Sequence, residues 1–397
     1  MPKAGTVLVL LVASMFLNYV DRGSLSVAAP VLTKELGIGP SQMGLLFSAF
    51  FWTYALCQIG AGWLVDRASV KWVYAAGFLL WSMATLATGF VGGFAALFVC
   101  RLLLGLGESG AYPACSRILA RSVPEERRGM ANAWIDAGTK AGPALSNFAG
   151  GLIVSEYGWR WLFLGAGLVS LMWLPAWIAL YKDPPEPESE ERTKVSFGEI
   201  LRHREAWGTS LAMFALGYVW YFLLSWLPTY LVKARGLSMH QVATYGSLPL
   251  AIMGLATVGW AWLADRRVRA HGANERKRFL VIALLATAAL LPPAVAVDAF
   301  APAMVLLIAA HVTLAMFAAN VWAATQTLAG PEAAGRWTGF QNAVGNLGGV
   351  VSPWVAGVAL ERTGSFQIAF FAAAAVAVAG AVCYWRLVPR IQPVMLD

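Results

Sequence analysis

Apolar residues come in runs of about 18 to 25 separated by short polar stretches, the length a helix needs to cross the hydrocarbon core of a bilayer. Six runs occupy roughly 6–30, 41–65, 72–91, 95–120, 130–154 and 159–181. Six more follow at roughly 207–232, 240–264, 279–297, 302–326, 336–360 and 366–388. The pattern predicts an all-α membrane protein with twelve transmembrane helices. The first run is too long for a signal-peptide core and is taken as the first span. Between the two sets lies a stretch rich in proline and charge, Lys182-Asp-Pro-Pro-Glu-Pro-Glu-Ser-Glu-Glu-Arg-Thr-Lys194. That composition cannot bury apolar area and reads as a solvated linker, with Ser196-Phe-Gly-Glu-Ile-Leu201 as a short surface helix. The expected organisation is an N-terminal six-helix half (1–181), a linker (182–206) and a C-terminal six-helix half (207–397).

The halves echo each other. Gly151-Leu-Ile-Val-Ser-Glu-Tyr-Gly158 parallels Gly357-Val-Ala-Leu-Glu-Arg-Thr-Gly364, and Gly138 and Gly142 match Gly345 and Gly349 at almost the same offset. Gly62-Trp-Leu-Val-Asp66-Arg67 likewise matches Ala261-Trp-Leu-Ala-Asp265-Arg266. Parallel six-helix repeats are a secondary-transporter architecture, in which rocking of one half against the other exposes a central site to each side in turn.

Composition agrees: 59% of residues are hydrophobic and 13% charged, too apolar for a soluble protein of this size. The formal charge of +8 is explained by position. With a cytoplasmic N-terminus, Lys34, Arg160, Lys233, Arg235 and Arg362 fall outside, Arg22, Arg101 and Lys140 fall within spans, and the remaining basic residues gather on the cytoplasmic side. The positive-inside rule then places both termini and the linker in the cytoplasm of a multi-pass inner-membrane protein. Contact with anionic lipid accounts for the charge, and no nucleic-acid partner is needed. Cys57, Cys100, Cys115 and Cys383 lie in or beside apolar runs and read as packed thiols rather than disulfides or metal ligands. With no metal-ligand cluster, nucleotide-binding loop or nucleophile triad, the sequence predicts neither an enzyme nor a cofactor. The protein is expected to be a monomer that draws on ion gradients.

The candidate chemistry is in the spans. Arg101-Leu-Leu-Leu-Gly-Leu-Gly-Glu108-Ser-Gly-Ala-Tyr112-Pro113 puts an arginine and a glutamate on one face of the fourth span, about 10 Å apart, with Tyr112 one turn further. Each such charge costs roughly 2.5 to 3.5 kcal/mol to insert, so it should face a bundle interior or a water-filled pathway. Asp21-Arg22 does the same in the first span. Around them lie polar and aromatic positions at helical spacing: Tyr19, then Tyr54 with Gln58, Tyr218 with Tyr221 and Ser225, Asn320 with Trp322, and Asn342 with Asn346. Hydroxyl-rich ligands need such donors and acceptors. Asp136 and Lys140 are one turn apart in the fifth span; they either neutralise each other or present Lys140 as a second positive contact. His311 reads as a packed residue of the tenth span.

These features together resemble the major facilitator superfamily over essentially the whole chain. Asp66-Arg67 and Asp265-Arg266 resemble its cytoplasmic gating motif and a degenerate copy, with Ala68-Ser69 departing from the usual small-residue pattern and Lys71 keeping a basic end. Asn18-Tyr19-Val-Asp21-Arg22 with Arg101 to Pro113 resembles the anion:cation symporter branch, which includes bacterial proton-coupled carriers of galactonate, glucarate and hexuronates, and animal sialin-like carriers. The resemblance implies uptake of a small organic anion, a sugar acid or related hydroxy-carboxylate, with protons. Asp21 and Glu108 match the protonatable positions, and Arg22 and Arg101 the basic ones. Asn346 matches an asparagine common in the branch.

The chemistry fits such a carrier. Desolvation raises a carboxyl pKa and a neighbouring arginine lowers it, so protonation frees Arg101 from an internal carboxylate partner to take a substrate carboxylate in a bidentate fork. On this reading Arg101 serves the substrate and Glu108 the coupling, while Arg22 either faces the substrate or holds Asp21. An exchanger or exporter of the same fold, or a transporter-like sensor, is the alternative.

Overall fold

The computed structural model describes residues 4–123, 125–183 and 196–395; at a few helix positions, Asp66 among them, only the backbone is described. The described residues form α1 (Ala4–Leu36), α2 (Pro40–Arg67), α3 (Val70–Thr88), α4 (Phe94–Glu108), α5 (Ala111–Ser122), α6 (Glu125–Tyr157) and α7 (Trp159–Leu180). After them come α8 (Phe197–Ile200), α9 (Arg204–Lys233), α10 (Met239–His271), α11 (Glu275–Ala296), α12 (Phe300–Thr363) and α13 (Gln367–Leu387). Each of the twelve expected spans is helical. The fourth is split into α4 and α5 at Ser109-Gly110, and the tenth and eleventh run together as α12 through a kink at Gly330, where φ is 65°. Ten helical segments among the described residues are long and apolar enough to cross a membrane. The predicted surface helix is α8; the Ser196 hydroxyl caps it by accepting from the Glu199 amide at 3.2 Å. Most of the predicted linker, residues 184–195, lies outside the described residues.

Burial is inverted relative to a soluble protein. Leu56, Leu255 and Met172 are more than three-quarters exposed, while Asp21, Arg22, Arg101 and Glu108 are buried. Apolar side chains that face lipid need no cover, whereas charges must find partners inside.

The chain forms two compact units, residues 1–187 with 224–247 and residues 188–223 with 248–397. In the first, α1 lies along α6, α2 along α4, and α3 against α4 and α7. Small residues permit this closeness. A Cβ on Gly142 of α6 would lie 2.7 Å from the Phe16 carbonyl oxygen and 2.9 Å from Tyr19 Cβ, so only glycine lets α6 sit on the Tyr19 turn of α1. A Cβ on Gly105 of α4 would collide with the Phe50 carbonyl of α2, and the Thr53 hydroxyl next to it donates to Leu102 O at 2.7 Å. Between α3 and α7, Phe78 stacks on Trp173 (4.1 Å between ring centroids), Trp173 on Trp177, and Trp177 on Tyr181 (4.2 Å). This aromatic column fixes the rotation of α7. Residues of α9 and α10 that belong to the first unit are tied in by hydrogen bonds: the Ser26 hydroxyl donates to Leu224 O (2.6 Å) and the Asn147 amide to Gly246 O (2.9 Å).

In the second unit, α11 packs against α12 and α13. Trp337 of α12 donates to the Thr209 hydroxyl of α9 at 2.9 Å, which joins α9 to the same cluster.

Candidate functional site

The packing of α1 on α6 and of α2 on α4 brings four ionisable groups into the interior of the first unit. Arg22 Nε donates to Glu108 Oε2 at 2.6 Å, with both side chains almost wholly buried. Arg101 was expected to have an internal carboxylate partner; Glu108, on the same face of α4, pairs with Arg22 instead. Rotation along α1 explains this, since Arg22 points to α4 while Asp21 turns to α7 and accepts from the Ser170 hydroxyl at 3.2 Å. Adjacent residues on a helix diverge by about 100°, so Asp21 and Arg22 serve different neighbours. A buried, hydrogen-bonded pair of this kind is costly to break from one side, by about 3 to 5 kcal/mol.

Three rings surround the Arg22 guanidinium, with Tyr19, Phe50 and Tyr54 centroids 4.6, 4.7 and 4.7 Å from its ζ carbon. Tyr54 is stacked on Phe50 at 5.2 Å. Contacts of this type contribute about 0.5 to 2 kcal/mol each.

Arg101 is different. Only 6% exposed, it makes no hydrogen bond or ion pair among the described residues, and its Nε is buried without a partner. What it faces is the Phe50 ring, 5.3 Å away. Glu108, Arg22 and Asp21 lie within electrostatic range of it. A buried guanidinium with unused donors has the chemistry to take a carboxylate or sulfonate, because such an anion would restore the hydrogen bonds that burial removed.

Near this cluster, the Tyr19 and Tyr112 hydroxyls meet at 3.3 Å. Lys140 pairs with Asp136 at 3.0 Å and donates to the Thr139 hydroxyl at 3.2 Å. Gln58 is half-buried one turn beyond Tyr54.

The second unit carries a neutral polar site. Tyr218 and Tyr221 are buried on α9, and the Tyr221 hydroxyl donates to Asn346 Oδ1 of α12 at 3.2 Å, leaving the buried Asn346 Nδ2 without a partner. Gln341, absent from the sequence-based set, is fully buried on α12 and accepts from the Thr325 hydroxyl at 2.6 Å. Trp322 is half-buried. Asn320 is placed elsewhere than expected: its Oδ1 accepts from Arg276 at 3.1 Å, and the same guanidinium pairs with Asp265 at 2.5 Å. It therefore lies beside the Asp265-Arg266 motif. His311 donates from Nδ1 to the Leu307 carbonyl at 2.8 Å and is fully buried.

The motif copies share a local geometry. Arg67 lies over Trp63 at 4.6 Å and Arg266 over Trp262 at 5.8 Å, each four residues back along its helix. The Asp66 side chain lies outside the described residues. A contact that sequence reasoning missed caps α3: Asp183 accepts from the Ser69 hydroxyl (2.5 Å) and the Lys71 amide (3.0 Å), while Lys71 Nζ donates to Ile178 O at 2.6 Å. In the second unit the start of α11 is tied to the segment after α13 without a side-chain cap: Lys277 Nζ donates to Pro389 O at 3.0 Å and Asn274 accepts from the Ile391 amide at 2.8 Å. Among the described residues no group of three or more histidine, cysteine or acidic side chains is placed to hold a metal ion.

Comparison with known proteins follows the same lines. The model of the Major Facilitator Superfamily matches residues 11–353. The chain is 33% identical over 387 residues to a protein of Cupriavidus necator named "Probable sulfoacetate transporter", covering 92% of this chain and 90% of that one. It is 29% identical over 403 residues to the hexuronate transporter of Bacillus subtilis (98% and 95% covered). With the D-galactonate transporter of Escherichia coli it shares 27% identity over 416 residues (98% and 96% covered). Among solved structures, a bacterial homologue of the human lysosomal transporter Spinster, inward-facing and occupied, superposes with a TM-score of 0.85 at 17% identity, over 98% of each chain. That likeness shows the fold.

Proposed function

Since the chain belongs to the major facilitator superfamily, we propose that it is a secondary transporter that imports a small organic anion by proton symport through alternating access. The substrate class is a sugar acid or related hydroxy-carboxylate, with small sulfonates such as the one named for the Cupriavidus relative as close chemical kin. The observation that carries this reading is Arg101: a buried guanidinium with unused donors beside two buried carboxylic groups.

Arg101 receives the anion. Glu108 and Asp21 carry the protons. A proton on Glu108 weakens its pair with Arg22 and releases a second guanidinium toward the anion; loss of that proton re-forms the pair and expels the anion. Competition between an internal and an external carboxylate therefore runs through Arg22, with Arg101 as the standing receptor. Asn346, Tyr221 and Tyr218 serve the hydroxyl-bearing part of the substrate. Asp66, Arg67, Asp265 and Arg266 serve gating, with both termini in the cytoplasm of a bacterial cell.

A thermal-shift screen of purified protein against sugar acids, aromatic acids, dicarboxylates and sulfoacetate tests the anion assignment. Stabilisation by at least one hydroxy-carboxylate or sulfonate is expected, and it should vanish in Arg101→Ala. A flat response to every anion rejects the assignment.

A further inference from the structure

Arg101 poses a physical question: a buried cation normally has a carboxylate within reach of a hydrogen bond, and this one does not, although Asp21 and Glu108 are near enough to attract it. Glu108 is occupied by Arg22. Asp21, however, keeps one buried oxygen without a hydrogen bond. Something other than a lack of acids holds Arg101 where it is.

The Phe50 ring is in the right place to do so. It is 1% exposed, and it lies 5.3 Å from the Arg101 ζ carbon and 4.7 Å from that of Arg22. Its own position is fixed twice, by stacking on Tyr54 and by the glycine crossing that sets the Phe50 carbonyl against Gly105 of α4, the helix that carries Arg101. One ring thus faces two guanidiniums, of which one has a carboxylate and the other has none among the described residues. A ring face attracts a cation through its quadrupole but forms no fork of hydrogen bonds, so it orients a guanidinium and leaves the donors unspent.

We propose that Phe50 is a positioning residue that seats Arg101 away from the internal acids and so keeps its donors available to the substrate anion. The inference rests on the anion-receptor role given to Arg101 above. Without the seat, Arg101 turns toward Asp21 and spends part of its time in an internal pair. Only the remaining fraction binds anion, and the apparent affinity falls by that fraction. The ring thereby sets affinity without touching the substrate.

The test replaces Phe50 in the full chain with mono-, di- and trifluorophenylalanine, which progressively weaken the ring quadrupole at nearly constant shape. Phe50→Leu and Phe50→Trp bracket the series. Binding of D-galactonate, D-glucuronate and sulfoacetate is titrated, and melting is recorded without ligand. Expected are a stepwise loss of affinity across the fluorinated series, about tenfold in all, Phe50→Leu at its weak end, and Phe50→Trp at or above the natural protein. The ligand-free melting temperature should fall in the same order, with a smaller slope in Arg101→Met, where only the Arg22 contact is left. Affinity that stays flat across the series reduces Phe50 to packing and overturns the proposal. Affinity that improves as the ring weakens makes the ring a competitor of the anion and overturns it equally. If the natural protein binds none of the three anions, the transport reading is what fails, and the ligand-free slopes still decide whether the ring seats Arg101.

Discussion

The two units handle buried polarity in opposite ways. In the first, four ionisable side chains from α1 and α4 share an apolar interior, one pair closed at 2.6 Å and one guanidinium left open. In the second, no Asp, Glu, Lys or Arg is buried among the described residues; the Asn346 and Gln341 oxygens accept from hydroxyls, and the Asn320 oxygen accepts from Arg276. Charge is expensive in a membrane and neutral hydrogen bonding is cheaper, so charges belong where charge must move. On the proposed function, the handling of proton and anionic charge falls to the first unit, and the buried polar groups of the second are set apart from it.

Substitutions should separate these roles. The largest effect is expected from Arg101→Ala, which removes the open guanidinium: anion affinity should fall by about 2 to 5 kcal/mol, a loss of thirtyfold or far more, measured by titration calorimetry. Retention of natural affinity would remove the first unit from anion recognition. Next comes Glu108→Gln, which keeps the shape of the side chain and deletes its proton chemistry. Accumulation driven by a pH gradient should stop while counterflow exchange persists, and a variant that accumulates normally would assign coupling elsewhere.

Smaller effects belong to the neutral unit. Asn346→Ala should lower affinity for a hydroxylated substrate by roughly 0.5 to 1.5 kcal/mol, twofold to about tenfold, and leave the pH dependence of transport unaltered. A shift in pH dependence would break the division of labour. Smallest is Asp183→Ala, which uncaps α3; a stability loss of about 1 kcal/mol is expected in a melting experiment, with substrate affinity unchanged.

The span pattern was open to reading because a bilayer imposes length and apolarity on every crossing helix, and all twelve runs appear as helices. The α8 turn was legible from its own serine cap. The Trp-Arg repeat at residues 63–67 and 262–266 also showed, since both members lie on one helix. Pairing among the buried charges did not show. Arg101 and Glu108 share a face of α4, yet Glu108 meets Arg22, because α1 is seated on α6 at Gly142 and α4 on α2 at Gly105, packing that no local spacing reveals. Phe50 was invisible for another reason: a phenylalanine in an apolar span carries no signal until two guanidiniums are found over its ring. Asn320 looked like a substrate ligand from its place in the tenth span, and it is Arg276, at the start of α11, that claims it.

The central claim is that the buried charges of the first unit couple anion entry to a proton gradient. Purified protein in proteoliposomes, with the external medium made acidic and a labelled sugar acid or sulfoacetate outside, tests it most directly. The account predicts accumulation above equilibrium that disappears when a protonophore collapses the gradient and in Glu108→Gln. Equal internal and external concentrations with and without the gradient, in a preparation that binds the same anion, would contradict it.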